Sequence, residues 1–328
     1  MYEVIIIGAG PIGLFSTFYS SLRGLKTLTL ESSNSIGGQL TKIYPEKPIY
    51  DLPGIKEIKA KDYIDNLYNQ YLPYSEKNPI MYEVEIENIL LGDCSHIIKT
   101  NEGVFETKTI LIASGNGNSI PRKLEVENAS KCNNILYRLD DVNKYKNKDI
   151  VVLGGGDTAV DIANMLVDYS NVTIVHRRNE FRAHEESLSL FKNKNGKILT
   201  PYNVESIDFD NNLKALNLVN NSTNELIKIK ADYVFVSYGL LPSKNILNNL
   251  LDSDTLGILV NTQMETSQKG IYAIGNSCSY LGKEKTIASG MGEVVTAITS
   301  IHQYLYPTKN PTFYSSINKK NKRTNKFC

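Results

Sequence analysis

The sequence predicts an α/β chain of two Rossmann-like three-layer units, the second inserted into the first. Three observations predict it. A strand, glycine loop, helix and second strand open the chain at EVIIIGAGPIG, and the same layout returns at DIVVLGGGDTA. A further strand signal belonging to the first unit lies beyond the second, at GIYAIGN.

Size and composition leave room for this arrangement. A chain of 328 residues can bury two ordinary cores. A formal net charge of +1 argues against a surface given over to nucleic acid. MYEVIIIGAG enters an apolar strand at once, without the basic stretch of a signal peptide. No apolar run approaches the roughly 20 residues of a membrane span. The cysteines, Cys94, Cys132, Cys278 and Cys328, form no C-x-x-C pair and no metal-ligand spacing, so no metal site is expected. Scattered thiols suit a reducing compartment, and the expected location is cytoplasmic.

In the first unit, strand 3–7 meets GAGPIG at 8–13, a helix runs to about Arg23, and strand 26–30 ends at Glu31. Gly8 permits the tight turn, Gly10 lets the backbone approach a pyrophosphate, and Gly13 lets helix and strand pack closely. The helix N-terminus offers free N–H groups and a positive dipole end. Glu31 stands where a carboxylate accepts hydrogen bonds from both hydroxyls of an adenosine ribose.

In the second unit, strand 149–153 meets GGGDTA at 154–159, a helix follows, and strand 171–175 comes next. Gly154 and Gly156 repeat the glycine roles, and Ala159 takes the third place, an accepted variant. After the second strand this unit has no acid. It has His176, Arg177 and Arg178, with Arg182 close behind. Elsewhere such a cluster reads as a solvated basic surface. At this position guanidinium groups bind a 2′-phosphate bidentately, whereas a carboxylate repels it. The acid-tipped unit therefore suits FAD and the arginine-tipped unit NADPH, and binding both makes a hydride-to-flavin oxidoreductase the simplest reading.

Between and after these units, SIGGQL at 35–40 is a turn able to approach the pyrophosphate again. TKTILIASGNG is a buried strand running into a glycine loop, and ADYVFVSYG closes the insert. EKTIASGMGEVVTAITSIHQYL reads as a loop feeding a long helix whose N-terminus faces the flavin. The expected FAD-binding domain is 1–118 with 238–328, and the NADPH-binding domain is 119–237.

In this order the motifs GAGPIGLF, GGQL, YPEK, PRKL, LGGGD, HRR-FRAHE and IASG-GE resemble the thioredoxin-reductase-like flavoproteins over essentially the whole chain. Within them the chain is most similar to the ferredoxin/flavodoxin–NADP+ reductases. Thioredoxin reductases carry a redox C-x-x-C shortly before the second glycine loop; here Tyr137, Arg138, Leu139 and Asp140 stand there. Without a dithiol, electrons cannot pass to a protein disulfide by exchange.

The resemblance implies roles for particular residues. Glu31 binds the FAD ribose, Gln39 the flavin or ribityl region, and Val84 the adenine through its backbone. Tyr44 lies against one flavin face. Phe313, in a C-terminal extension, covers the other, with Ser315 near the flavin edge and Tyr314 an alternative stacking ring. Gly154, Gly156, Thr158, Arg177, Arg178 and Arg182 hold NADPH. Asn276 replaces the family's ribityl-binding aspartate, keeping hydrogen bonds but losing a charge. Ser119 stands where an aromatic often precedes PRKL. The resemblance also implies a homodimer and a transient partner, ferredoxin or flavodoxin. Two alternatives use the same sites: another acceptor (quinone, free flavin, an iron complex or oxygen), and a non-catalytic NADPH-sensing flavoprotein.

Overall fold

Val4 and Ile6 turn to one side of the strand Tyr2–Ile7, Ile5 and Ile7 to the other, and all four are buried. A strand apolar on both faces needs cover on both. In the computed structural model, which describes residues 1–43, 45–115, 117, 120–210, 212–241 and 250–308, that strand lies inside a seven-stranded sheet. It runs parallel to Thr27–Leu30 on one side and to Gly103–Ile112 on the other. Ile80–Met81 extends the first flank. Ile271–Ala273 pairs in parallel with the end of Gly103–Ile112, whose start pairs antiparallel with His96–Thr100.

Val4 and Ile6 pack with Val294, Ala297, Ile298 and Ile301 of helix Ile287–Leu305, and with partly buried Ile12, Phe15 and Tyr19 of helix Pro11–Leu22. Ile5 and Ile7 pack on the other side with Ile89, Ile98, Leu251 and Ile258.

The chain leaves this sheet after Ile112 and returns to it only at Ile271, and a second sheet lies between. Its five strands are all parallel, in the order Ile135–Leu136, Tyr233–Val236, Asp149–Leu153, Asn171–Val175, Lys197–Leu199. The insertion expected from the sequence is the observed topology. One face of this sheet packs on helices Asp157–Leu166 and Glu185–Asn193 through Val160, Ala163, Leu166 and Phe191. The other face is covered by an antiparallel meander of Tyr202–Asp210, Asn212–Asn220 and Leu226–Lys230, with Leu213, Leu216 and Leu218 turned inward. Three layers are expected from the sequence, but not that an antiparallel meander forms this one.

The outgoing segment Ile120–Pro121 pairs antiparallel with the incoming Leu240–Leu241. Lys47, between the first unit's Gly-Gly turn and its helix 60–71, pairs with Asp161 of the second unit's helix at 2.6 Å. That pair is partly exposed and contributes little stability, but it bridges the two units.

Candidate functional site

The first glycine loop leaves the strand through Gly8, whose φ of +101° lies in the region L side chains rarely adopt. Its N–H donates to the Leu30 carbonyl at 2.8 Å. Gly10 caps the helix Pro11–Leu22 with no side-chain cap, and Pro11 brings no N–H of its own. No acidic residue sits in the first turn, so the helix N-terminus keeps its positive potential. A Cβ on Gly13 would lie 1.9 Å from the Gly8 carbonyl oxygen, which is why helix and loop can approach so closely. The expected second approach of the chain is also present. Gly37 donates its N–H to the Ala9 carbonyl at 2.8 Å, and a Cβ on Gly38 would lie 3.2 Å from the Gly10 Cα.

A cavity of about 470 Å³ runs along this loop. Glu31 and Val84 line one part, Gly8, Gly10 and Gln39 another, and Asn276 with Thr286 and Ile287 a third. The Glu31 carboxylate is buried and accepts from the Ala9 N–H at 2.7 Å and from the N–H and hydroxyl of Ser33. A carboxylate has about four acceptor sites, so one remains for a ribose hydroxyl. Val84 donates its N–H to the Glu31 carbonyl at 3.0 Å, which ties its part of the cavity wall to the same strand end. These residues fit FAD on the structure's own terms. Gly10 borders the cavity with nothing within 4 Å of where a Cβ would stand, and uncapped helix N–H groups adjoin it.

The cavity wall includes residues that sequence reasoning had not given to it. Tyr137 and Arg138 come from the inserted unit, and Lys285 from the loop before helix Ile287–Leu305. In the sequence, Tyr137 and Arg138 mark only the place where a dithiol is missing. Tyr44, Ser119, Phe313, Tyr314 and Ser315 lie outside the described residues.

The second glycine loop repeats the plan. Gly154 donates its N–H to the Val175 carbonyl at 3.0 Å, and its Cβ position lies 2.5 Å from the Ser237 carbonyl oxygen. Ala159 is fully buried beside it, so a methyl fits where the first unit needs hydrogen. Gly156 caps helix Asp157–Leu166 with open space at its Cβ, and Thr158 lies in the first turn. Asp157 is turned to the neighbouring loop, where its carboxylate accepts the His184 N–H at 3.1 Å.

The segment after strand Asn171–Val175 folds back over this loop. Arg182 and Ala183 both donate backbone N–H groups to the Gly155 carbonyl, at 2.8 and 3.3 Å. His176 packs against Phe181 with the two rings tilted by 47°, and it lies 2.5 Å from where a Gly155 Cβ would be. Burial holds the His176 imidazole below its ordinary pKa, and the charges of Arg177, Arg178 and Arg182 push the same way. His176 therefore serves as a neutral wall. Arg177, Arg178 and Arg182 are exposed, and among the described residues none of their side chains forms an ion pair. Three uncommitted guanidinium groups beside a glycine loop suit a phosphate monoester.

Cys94 is exposed, and Cys132 and Cys278 are buried, all three as free thiols. Burial pushes the Cys278 thiol up to about 12, which keeps it protonated and unreactive. Among the described residues no cluster could hold a metal ion, and no helix is long and apolar enough to cross a membrane.

Across residues 2–300 the chain matches the Pyridine nucleotide-disulphide oxidoreductase family. It is 45% identical to the ferredoxin–NADP reductase of Acholeplasma laidlawii over 319 residues, covering 96% of this chain and 98% of that protein. It is 40% identical to ferredoxin–NADP reductase 2 of Bacillus thuringiensis, covering 94% of each. Among solved structures it is similar to the thioredoxin reductase of Lactococcus lactis in its FR conformation, with a TM-score of 0.79 and 26% identity over 94% of this chain and 100% of that one.

Proposed function

Because the chain belongs to the ferredoxin–NADP reductases of the pyridine nucleotide-disulphide oxidoreductase family, we propose that it moves electrons between NADPH and ferredoxin through FAD held in the cavity beside Gly10. The single observation carrying this reading is the pairing of an acid-tipped with an arginine-tipped glycine loop in a chain with no dithiol at 137–140. Residues 1–118 with 238–328 form the FAD-binding domain in this reading, and 119–237 the NADPH-binding domain.

Bound FAD supplies the chemistry, taking a hydride from nicotinamide and releasing electrons one at a time. The chain contributes binding and orientation. The N–H groups around Gly10 and the helix N-terminus hold the pyrophosphate, Glu31 orients the ribose, Gln39 meets the flavin or ribityl chain, and Asn276 meets the ribityl hydroxyls. Gly154, Gly156 and Thr158 hold the NADPH pyrophosphate, with Arg177, Arg178 and Arg182 on its 2′-phosphate and His176 and Ala159 shaping the pocket. No side chain has to act as acid, base or nucleophile. Flavodoxin is a second acceptor in this reading, since it takes electrons from the same flavin edge. Three free thiols suit a cytoplasmic home.

An anaerobic titration with NADPH, followed by ferredoxin and then flavodoxin, tests the function. The flavin colour is expected to bleach and then to return when the carrier is added. Bleaching with no return from either carrier would hand the function to another acceptor. With Cys94, Cys132, Cys278 and Cys328 all changed to serine, ferredoxin reduction is expected to persist. The Cys278 Sγ sits 3.3 Å from the Gly275 carbonyl, where a serine hydroxyl also donates. Loss of turnover with FAD still bound would reveal a redox thiol.

Tyr44 and Phe313 are assigned to the two flavin faces, with Ser315 near the flavin edge and Ser119 among the cofactor-binding residues. The family's dimeric fold lets the C-terminal segment cover the partner's flavin. Aromatic stacking is worth about 0.5–1.5 kcal/mol beyond burial, which suits a ring that swings aside for nicotinamide. Truncation after Pro311 is expected to alter the flavin spectrum and raise oxygen reactivity, with sedimentation reporting whether the protein is a dimer. An unchanged spectrum and hydride-transfer rate would dispose of the cover.

A further inference from the structure

Lys283 and Glu293 form an ion pair whose side chains are only 1% and 4% exposed. Ion pairs buried this deeply are poor stabilisers, because two desolvation penalties offset the attraction, and apolar replacements are often neutral or better. Its surroundings point to another task. Glu293 Oε1 accepts from the Lys283 ammonium and from the Tyr280 hydroxyl at 2.7 Å. Its Oε2 accepts from the Gly275 N–H at 2.7 Å and lies 3.7 Å from the Cys278 Sγ. The Lys283 ammonium also sits over the Tyr280 ring, 5.5 Å from its centroid. One carboxylate on helix Ile287–Leu305 therefore gathers four points of a single loop, 275–283.

Cavity wall lies at both ends of that loop: Asn276 near its start, and Lys285, Thr286 and Ile287 just past its finish. The loop is also pressed onto the first glycine-loop helix. Gly275, at φ +67°, has its Cβ position 3.3 Å from Ile12, and a Cβ on Gly290 would lie 2.6 Å from the Ile12 Cδ1. A shift at Glu293 is thus passed to both walls.

We propose that Lys283 and Glu293 are positioning residues for the FAD cavity: their buried pair fixes Asn276 and the 285–287 wall at one spacing, which the flavin end of FAD requires. The proposal rests on the assignment of this cavity to FAD. Asn276 is uncharged, so it holds a ribityl hydroxyl by geometry alone and depends on the hub that sets its position.

The test compares full-length holoproteins carrying Glu293→Gln, which keeps shape and removes charge, and the double change Lys283→Met with Glu293→Leu, which replaces the pair by apolar groups. FAD release is followed by the rise of flavin fluorescence on dilution, the flavin's environment by visible circular dichroism, and folding by thermal melting. Both variants are expected to release FAD at least tenfold faster with an altered dichroism spectrum, and the double variant to melt no lower than the wild type. A double variant, or Glu293→Gln, with wild-type release and dichroism overturns the proposal, whatever its melting temperature. A wild-type protein without FAD overturns the cavity assignment instead, and the inference with it.

Discussion

Alanine at position 10 is expected to yield a folded protein that carries no FAD. Gly10 has φ −65° and ψ −177°, open to any residue, and its Cβ would meet no protein atom within 4 Å. The fold loses only a preferred helix cap, a cost of about 1 kcal/mol that reduced freedom of the unfolded chain partly offsets. The new methyl stands at the cavity wall where, in the proposed assignment, the pyrophosphate touches the backbone. Displacing the phosphates from two N–H donors forfeits about 3–6 kcal/mol of charge-assisted bonding, or roughly a hundredfold to ten-thousandfold in affinity. Alanine at position 13 provides the contrast, because its Cβ would stand 1.9 Å from the Gly8 carbonyl oxygen and something in the backbone must move. That variant is expected to fail in folding rather than in binding. Flavin content per chain and the melting temperature distinguish the cases. A yellow Gly10→Ala protein with one FAD per chain would remove the pyrophosphate from this loop.

Replacing Arg177 by alanine is expected to raise the Michaelis constant for NADPH at least tenfold and leave that for NADH unchanged. Loss of one charge-assisted contact to a phosphate costs about 1.5–3 kcal/mol, which is roughly ten- to 150-fold. NADH has no 2′-phosphate and so makes no use of the guanidinium. Arg177 has no competing ion pair among the described residues, so its charge is not already spent. The Asn221 side chain donates to the Arg177 carbonyl at 2.8 Å, so the backbone there keeps an anchor that the substitution does not touch. Steady-state kinetics with both nucleotides checks this. Equal effects on NADPH and NADH would reduce the cluster to a solvated surface.

The two glycine loops and their differing tips are legible in the sequence, because each is encoded within a short stretch. The run EVIII can only be a buried strand when followed by GAG, and the residue after KTLTL declares its charge directly. The insertion was legible too, since a strand and a helix of the first unit remained unspent after the second. The meander 202–230 was not, although its strand Asn212–Asn220 puts Leu213, Leu216 and Leu218 into the second core. Its alternation is broken by register shifts near Val204 and Asp208, which blurs a period-two pattern.

The sequence by itself determined the α/β class, two nucleotide-type loops, an acid at one and arginines at the other, and a missing dithiol. These are local facts, set by the order of residues along a few turns of chain. Only the tertiary structure decided that Tyr137 and Arg138 of the inserted unit wall the other unit's cavity, and that Glu31 already serves Ala9 and Ser33. It alone also closed Lys283 and Glu293 into a dry pair over Asn276's loop. Those contacts depend on how sheets and loops meet in space, which no spacing along the chain records.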